Sequence, residues 1–228
     1  MTDYKYGQHP GIYDRDHLLP EWREFCTWLY LPVVMAHSDV ILLPPSLEFM
    51  RNTIEGIVWA EGVNDGHYVY VTAKRGFATP GNPLNRPGWH ADGFGSDDIN
   101  YIWADQWPTR FAVGQFDDIS KDHVESAHQF EQQIRLSAMR GDNKIRVMDG
   151  DANTIYRLDP SVIHCTPIIP DPGGMRSFFK VSVSPNKYNL DGNSHNHLFD
   201  YNWRMYSREE LRNDPAWAGG DSAPQQES

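Results

Sequence analysis

"HYVYVTAKR", from His67 to Arg75, is rich in aromatic and β-branched side chains and alternates as a half-buried strand does. It marks a change of texture along the chain. Upstream, Pro20 is expected to open a helix through "EWREFCTWLY" that Pro32 stops, and Ser46 to cap a second helix, "LEFMRNTIEGIVWA". Downstream, "RFAVGQF", "NTIYRL" and "SFFKVSVS" read as further strands. Between them "KDHVESAHQFEQQIRLSAMR" reads as an amphipathic helix capped by Ser120, and Ser207 with Glu210 matches a capping box for a short late helix. Helices first, then short strands separated by turn residues, predict a mainly β fold with flanking helices. The expected form is a sandwich or barrel with N-terminal α-helices packed against it.

Composition bounds the function. The chain has 228 residues, 39% of them hydrophobic and 13% aromatic, enough for a real core. Its net charge of -11, with no basic run, argues against a broad nucleic-acid surface, which needs clustered Lys and Arg. The longest apolar run, "WLYLPVVMAH", is too short to cross a bilayer and is broken by Pro32. The opening "MTDYKYGQHPG" lacks the basic and apolar regions of a signal peptide, and the only cysteines are Cys26 and Cys165. These features predict a cytoplasmic protein whose partner is a small molecule rather than a nucleic acid or a membrane.

His90-Ala91-Asp92 follows a strand and a Pro/Gly turn (Pro83, Pro87, Gly88) and precedes "INYIW". In extended backbone, residues two apart point to one side, so His90 and Asp92 project together as two legs of a metal site. Taken alone, the phrase is better explained by a hydrogen-bonded turn. His164 adds a third donor. It lies in "TIYRLDPSVIHCTPII", and a histidine inside a β core needs a partner for each ring nitrogen. Two histidines and one carboxylate on one side of a metal leave the opposite positions open, the arrangement of non-haem Fe(II) sites. Arg176 follows twelve positions later (176 − 164), beyond the turn "PDPGG", read as a hairpin that lays the two strands side by side. A guanidinium there can clamp a carboxylate in bidentate fashion; a salt-bridged surface arginine is the alternative.

The order His90-x-Asp92, His164, Arg176 resembles the Fe(II)/2-oxoglutarate-dependent oxygenase superfamily. "TRFAVGQFDDIS" and "GDANTIYRLDPSVIHCTPI" resemble, in prolyl-hydroxylase-like and phytanoyl-CoA-hydroxylase-like members, the strand after the metal motif and the hairpin leading to the second histidine. The likeness covers roughly residues 68–185. It implies a double-stranded β-helix, the cupin-like jelly roll, over those residues. A helical part (15–62) would precede it, and an extension (186–228, flexible after 218) would complete one oxygenase domain. It further implies Fe(II) on His90, Asp92 and His164, with 2-oxoglutarate chelating the iron and resting its far carboxylate on Arg176. O2 would be consumed, a C–H bond of a small metabolite or amino-acid-like substrate hydroxylated, and succinate and carbon dioxide released. One position departs from the family pattern. Where members often carry Ser or Thr two residues after the arginine, this chain has Phe178, so the hydroxyl's part would fall to Ser177, Lys180 or a tyrosine.

Trp89, Tyr101 and Trp103 flank the motif and are candidates for the substrate pocket, with plain core packing as the alternative. Lys74 and Arg86 are secondary candidates for holding an acidic group, Asp97, Asp98 and Asp105 are expected in solvated loops, and His195 and His197 are read as exposed. Two other functions fit the same residues: a cupin-type metal enzyme that does not use 2-oxoglutarate, and a noncatalytic β-barrel binding protein.

Overall fold

A computed structural model describes residues 5–19, 26–63, 66–92 and 96–207. The strands are β1 (Gly11–Asp14), β2 (Cys26–Val34), β3 (Tyr68–Ala78), β4 (Ile99–Ala104), β5 (Arg110–Gly114), β6 (Ile145–Asp149), β7 (Ile155–Leu158), β8 (Ile163–Cys165) and β9 (Gly174–Ser184). A 3-10 turn (Pro45–Met50) runs into helix α1 (Arg51–Ala60), and α2 (His123–Arg140) lies between β5 and β6. All pairings between these strands are antiparallel. They build one six-stranded sheet, β1-β7-β4-β9-β3-β2, and one three-stranded sheet, β6-β5-β8.

Buried clusters arrange these parts in layers. Ile102, Tyr156 and Phe178 of the large sheet meet Phe111 of the small one, so the two sheets face each other across an apolar filling. The opposite face of the large sheet carries Val71, Trp103, Phe179 and Val181, which pack on Leu47, Met50, Ile54 and Ile57. Ile54 and Ile57 are three apart, so both fall on one side of α1. Phe130 of α2 covers Ala112, Ile145 and Ile163 on the outer side of the small sheet.

The helix expected through "EWREFCTWLY" is corrected: from Cys26 onward the chain is a strand, and the residues before it lie outside the described ones. Thr27, Trp28, Tyr30, Val33 and Val34 favour the pleated surface, and β2 is an edge strand, where a proline such as Pro32 is tolerated. The C-terminal segment covers that edge. Ser194 exchanges bonds with Leu29 (Leu29 N to Ser194 Oγ 2.9 Å, Ser194 N to Leu29 O 2.7 Å), and Asn196 Nδ2 donates to Pro32 O at 2.8 Å.

The second helix begins as a 3-10 turn after Pro44, with no side-chain cap from Ser46. In α2 the cap is Asp122, whose Oδ1 accepts from Val124 N and Glu125 N at 2.9 and 2.8 Å. Ser120, the expected cap, instead donates to Glu125 Oε2 at 2.6 Å. Gly141, at φ 63°, closes that helix. Glu210 of the late capping box lies outside the described residues.

The turn after β8 differs from expectation as well. "PDPGG" passes the chain from the small sheet to the centre of the large one, so β8 and β9 are not neighbours; β9 pairs with β3 and β4. An eleven-residue strand buried on both faces over most of its length needs a ladder on each edge, and only the large sheet supplies both. Gly173 serves the crossing: its φ is 86°, and a Cβ there would lie 2.2 Å from Ala78 O. Among the described residues no helix is long and apolar enough to cross a membrane.

Candidate metal centre

His90 joins the free edge of β8. Its N–H donates to His164 O at 3.0 Å and its carbonyl accepts from His164 N at 2.9 Å, the exchange made by directly opposed residues of an antiparallel pair. The two imidazoles are thereby neighbours on one face, with ring centroids 4.5 Å apart. Alternation carries Asp92 to the same side, while Ala91 and Trp89 turn into the cluster beneath α2. One donor atom from each of His90, Asp92 and His164 lies within 4.8 Å of the others. Nε2 of His164 is 3.8 Å from Asp92 Oδ2, and Nε2 of His90 is 4.0 Å from Oδ1.

The other ring nitrogens are committed elsewhere. Nδ1 of His90 bonds Gly88 O at 2.8 Å and Nδ1 of His164 bonds Val162 O at 3.2 Å. A carbonyl can only accept, so each Nδ1 carries the proton and each Nε2 presents its lone pair toward Asp92. Burial, and then repulsion from His164, lowers the pKa of His90 to about 3; burial lowers that of His164 too. Both are therefore neutral at ordinary pH, the form that binds metal. Burial opposes charge on Asp92, but Lys180 and the two histidines outweigh it and hold its carboxyl below the usual range. Two neutral imidazoles and one carboxylate in this arrangement form a donor set that can hold a metal ion.

Lys180 stands beside the group. Its Nζ donates to Asp92 Oδ2 and to Tyr30 OH, both at 3.0 Å, and burial of the ammonium is outweighed by Asp92 and Tyr30, which raise its pKa. Tyr30 has a φ of 47° at a bulge of β2, its N–H donating to Thr72 Oγ1 at 3.0 Å. Sequence reasoning missed Tyr30 because its segment was read as helical; the β-branched and aromatic residues around it were the available signal. Tyr30 also lines a cavity of about 150 Å³ with Tyr188, His195, Tyr201 and Trp203. His195, which lines it, and His197 are both exposed, as expected.

Arg176 occupies the same face of β9 as Lys180, four residues away, and is 1% exposed. Its Nε donates to Gln106 O at 3.2 Å and Trp107 O at 3.1 Å, and Nη1 donates to Pro83 O at 3.4 Å. Nη2 is buried with no partner among the described residues. Burial lowers the guanidinium pKa to about 10, which leaves it charged at neutral pH. A buried, unpaired cationic N–H between two sheets is costly, and an anion bound there would remove that cost.

The remaining sequence candidates fall elsewhere. Ser177 is on the opposite face, its Oγ accepting from Arg75 Nη1 at 2.7 Å. Trp89 packs under α2 with Arg110 over its ring at 6.0 Å. Tyr101 and Trp103 fill the helix-side core: Tyr101 OH bonds Glu61 and Trp103 Nε1 donates to His17 O at 2.9 Å. Those three therefore do not line the space beside the triad. Asp98, expected in a solvated loop, is 6% exposed, accepts from Ser184 Oγ and from Tyr188 OH at 2.6 Å, and has its pKa raised by burial. Arg86 contacts His123, and Lys74 Nζ donates to Leu84 O at 3.0 Å.

What these features define is a class: a β-rich protein with a partly buried His/Asp/His group between two sheets. No protein-family model matches the chain, and no curated protein matches it in sequence. Among solved structures, the chain is similar to the crystal structure of EvdO2 from Micromonospora carbonacea var. aurantiaca, at 13% identity and a TM-score of 0.30. That similarity covers 62% of this chain and spans 60% of the EvdO2 chain. At that level it carries no argument, and the functional reading rests on the site.

Proposed function

We infer that the protein is a non-haem Fe(II)- and 2-oxoglutarate-dependent oxygenase acting on a small molecule, and that its two facing sheets are the halves of a double-stranded β-helix. One observation carries the reading. The same inter-sheet space holds a triad with both Nε2 atoms available and, further along β9, a buried guanidinium with an unpaired Nη2. A metal and a carboxylate are the two things these groups lack.

His90, Asp92 and His164 would hold the ion, two neutral donors and one anion leaving it a net positive charge that attracts a 2-oxo acid. When bound, Fe(II) supplies the oxygen activation that couples decarboxylation of 2-oxoglutarate, to succinate and carbon dioxide, to hydroxylation of a substrate C–H bond. Lys180 fixes the orientation of Asp92 by occupying Oδ2. Arg176 neutralises the far carboxylate through Nη2. Tyr30, bonded to Lys180, also lines the aromatic cavity, which would take a small substrate beside its rings and the side chains of Asn193, Ser194 and Asn202.

Anaerobic titration with Fe(II) and then 2-oxoglutarate tests the reading. A weak visible metal-to-ligand band that requires both additions is the expected result, and succinate released on admitting air would follow. Iron binding with no band would instead favour a metal enzyme that does not use the 2-oxo acid. Absence of iron binding would end both.

A further inference from the structure

We propose that Lys74 is the second anchor for the far carboxylate of the 2-oxo diacid, in the place a hydroxyl at position 178 would have filled. The inference rests on the oxygenase reading for the identity of the diacid, but its geometry is independent of the metal. On β9 Arg176, Phe178, Lys180, Ser182 and Ser184 share one face, and none of them besides Arg176 is available, the two serines donating to Asn100 Oδ1 and Asp98 Oδ1. Phe178 has no polar atom, Lys180 is held by Asp92 and Tyr30, and Ser177 points to the other face. The ladder of β3 and β9 sets Lys74 directly opposite Phe178, on the same face.

Lys74 and Arg176 are held by one piece of backbone. Arg176 Nη1 donates to Pro83 O, and Lys74 Nζ donates to the next carbonyl, Leu84 O. An ammonium has three donors, and this bond uses one of them. The two cations are close enough to disfavour each other: the pKa of Lys74 is lowered by burial first and then by Lys180 and Arg176. No carboxylate among the described residues bonds either one. Asp105 acts on Arg176 but accepts from Ser177 N at 2.8 Å and lies 3.9 Å from Arg75. In a chain of net charge -11, two neighbouring cations without a bonded counter-ion point to an anion that arrives from outside.

Spacing fits a short diacid. Lys180 marks the triad end of the strand, the Lys74–Phe178 pair is two residues further along β9, and Arg176 two further still. At about 3.3 Å per residue, that sets Lys74 roughly 7 Å beyond the triad end, between it and the arginine.

The test compares wild type, K74M, K74R and R176M in the anaerobic Fe(II) titration, using 2-oxoglutarate and 2-oxopentanoate, which lacks the far carboxylate. K74M is expected to bind 2-oxoglutarate at least tenfold more weakly and 2-oxopentanoate unchanged, with K74R restoring most of the loss. Unchanged 2-oxoglutarate binding in K74M, or equal weakening of both acids, overturns the proposal while leaving the oxygenase reading in place. K74Q serves if thermal melts show K74M misfolded. If the wild type gives no band, the oxygenase reading falls and calorimetry with glutarate on metal-free protein decides the anchor alone. Binding that drops tenfold or more in K74M sustains it; equal binding, or none in the wild type, rejects it.

Discussion

Replacing Asp92 by asparagine separates the candidate metal centre from the ion pair that stands in the same place. The amide would keep the shape and remove the charge, so the triad loses its anionic donor and Lys180 loses its counter-ion. The side chains of Lys180 and Asp92 are 10% and 20% exposed, and their contact is 3.0 Å. Removing one partner of a fully buried pair costs about 3–5 kcal/mol. The residual exposure of Asp92 screens part of that, leaving about 2–4 kcal/mol. For a chain of this size each kcal/mol moves the midpoint by about 2–4 °C, so Asp92→Asn should melt roughly 5–15 °C below wild type. The double variant Asp92→Asn/Lys180→Met removes both charges and should recover most of that loss, less about 1 kcal/mol for the Tyr30 hydroxyl left without Lys180. Neither variant should bind Fe(II) or Co(II) in anaerobic calorimetry. Scanning calorimetry and metal titration on the three proteins therefore answer different questions. A single variant that melts with wild type would show that Lys180 is not held by charge. A double variant that binds metal as wild type does would place the metal centre elsewhere.

His90 has a pKa near 3 in the folded chain against 6.5 for an ordinary histidine, so between those values only the unfolded chain takes up its proton. Stability of the metal-free protein should therefore fall as pH drops from about 6.5 toward 3, and His90→Gln should flatten that part of the melting-temperature profile; an identical slope would contradict the assignment. Asp92 acts at the acid end of the same range, because its lowered pKa gives stability above the usual carboxylate value that is lost as pH falls through the folded one. Glu61→Gln removes the charge beside Arg157 and replaces the oxygen that accepts from Arg157 Nη2 at 3.1 Å by an NH2, while Oε1 can still accept from Arg157 Nε and Tyr101 OH. With Arg157 partly exposed, a loss of about 1–2 kcal/mol is expected in urea denaturation, and a neutral result would show that the pair is solvent-screened. Burial pushes the Cys165 thiol up to about 12, so iodoacetamide at pH 8 should leave it unlabelled by mass spectrometry in the folded protein; rapid labelling would show an accessible thiolate. Asp122→Ala should remove about 1 kcal/mol by freeing two N–H groups at the start of α2, read from thermal melts, and an unchanged midpoint would mean water replaces the cap without loss.

The triad was legible because its geometry is mostly local. His90 and Asp92 share a side through the two-residue period, and a histidine in a β core needs partners whatever the fold. The aromatic candidates were not legible, for a reason that β4 makes plain. From Asn100 to Ala104 every residue of that strand is buried, so both faces read as core and nothing in the sequence tells which one looks at the triad. Ile102 and Ala104 look toward the small sheet, while Tyr101 and Trp103 look toward α1. Pro32 misled in a different way, since a proline stops a helix and also marks an edge strand, and only the neighbouring β-formers separate the two. "PDPGG" showed that the chain reverses but not which sheet receives it. Parity along β9, in contrast, is specified by the sequence. Once Arg176 is assigned to the inner face, Ser177 must look outward and Lys180 inward, so alternation alone turns the serine away from the arginine. Lys74 required more, because its place opposite Phe178 depends on the β3–β9 register, a pairing of residues about a hundred positions apart in sequence that no local pattern specifies.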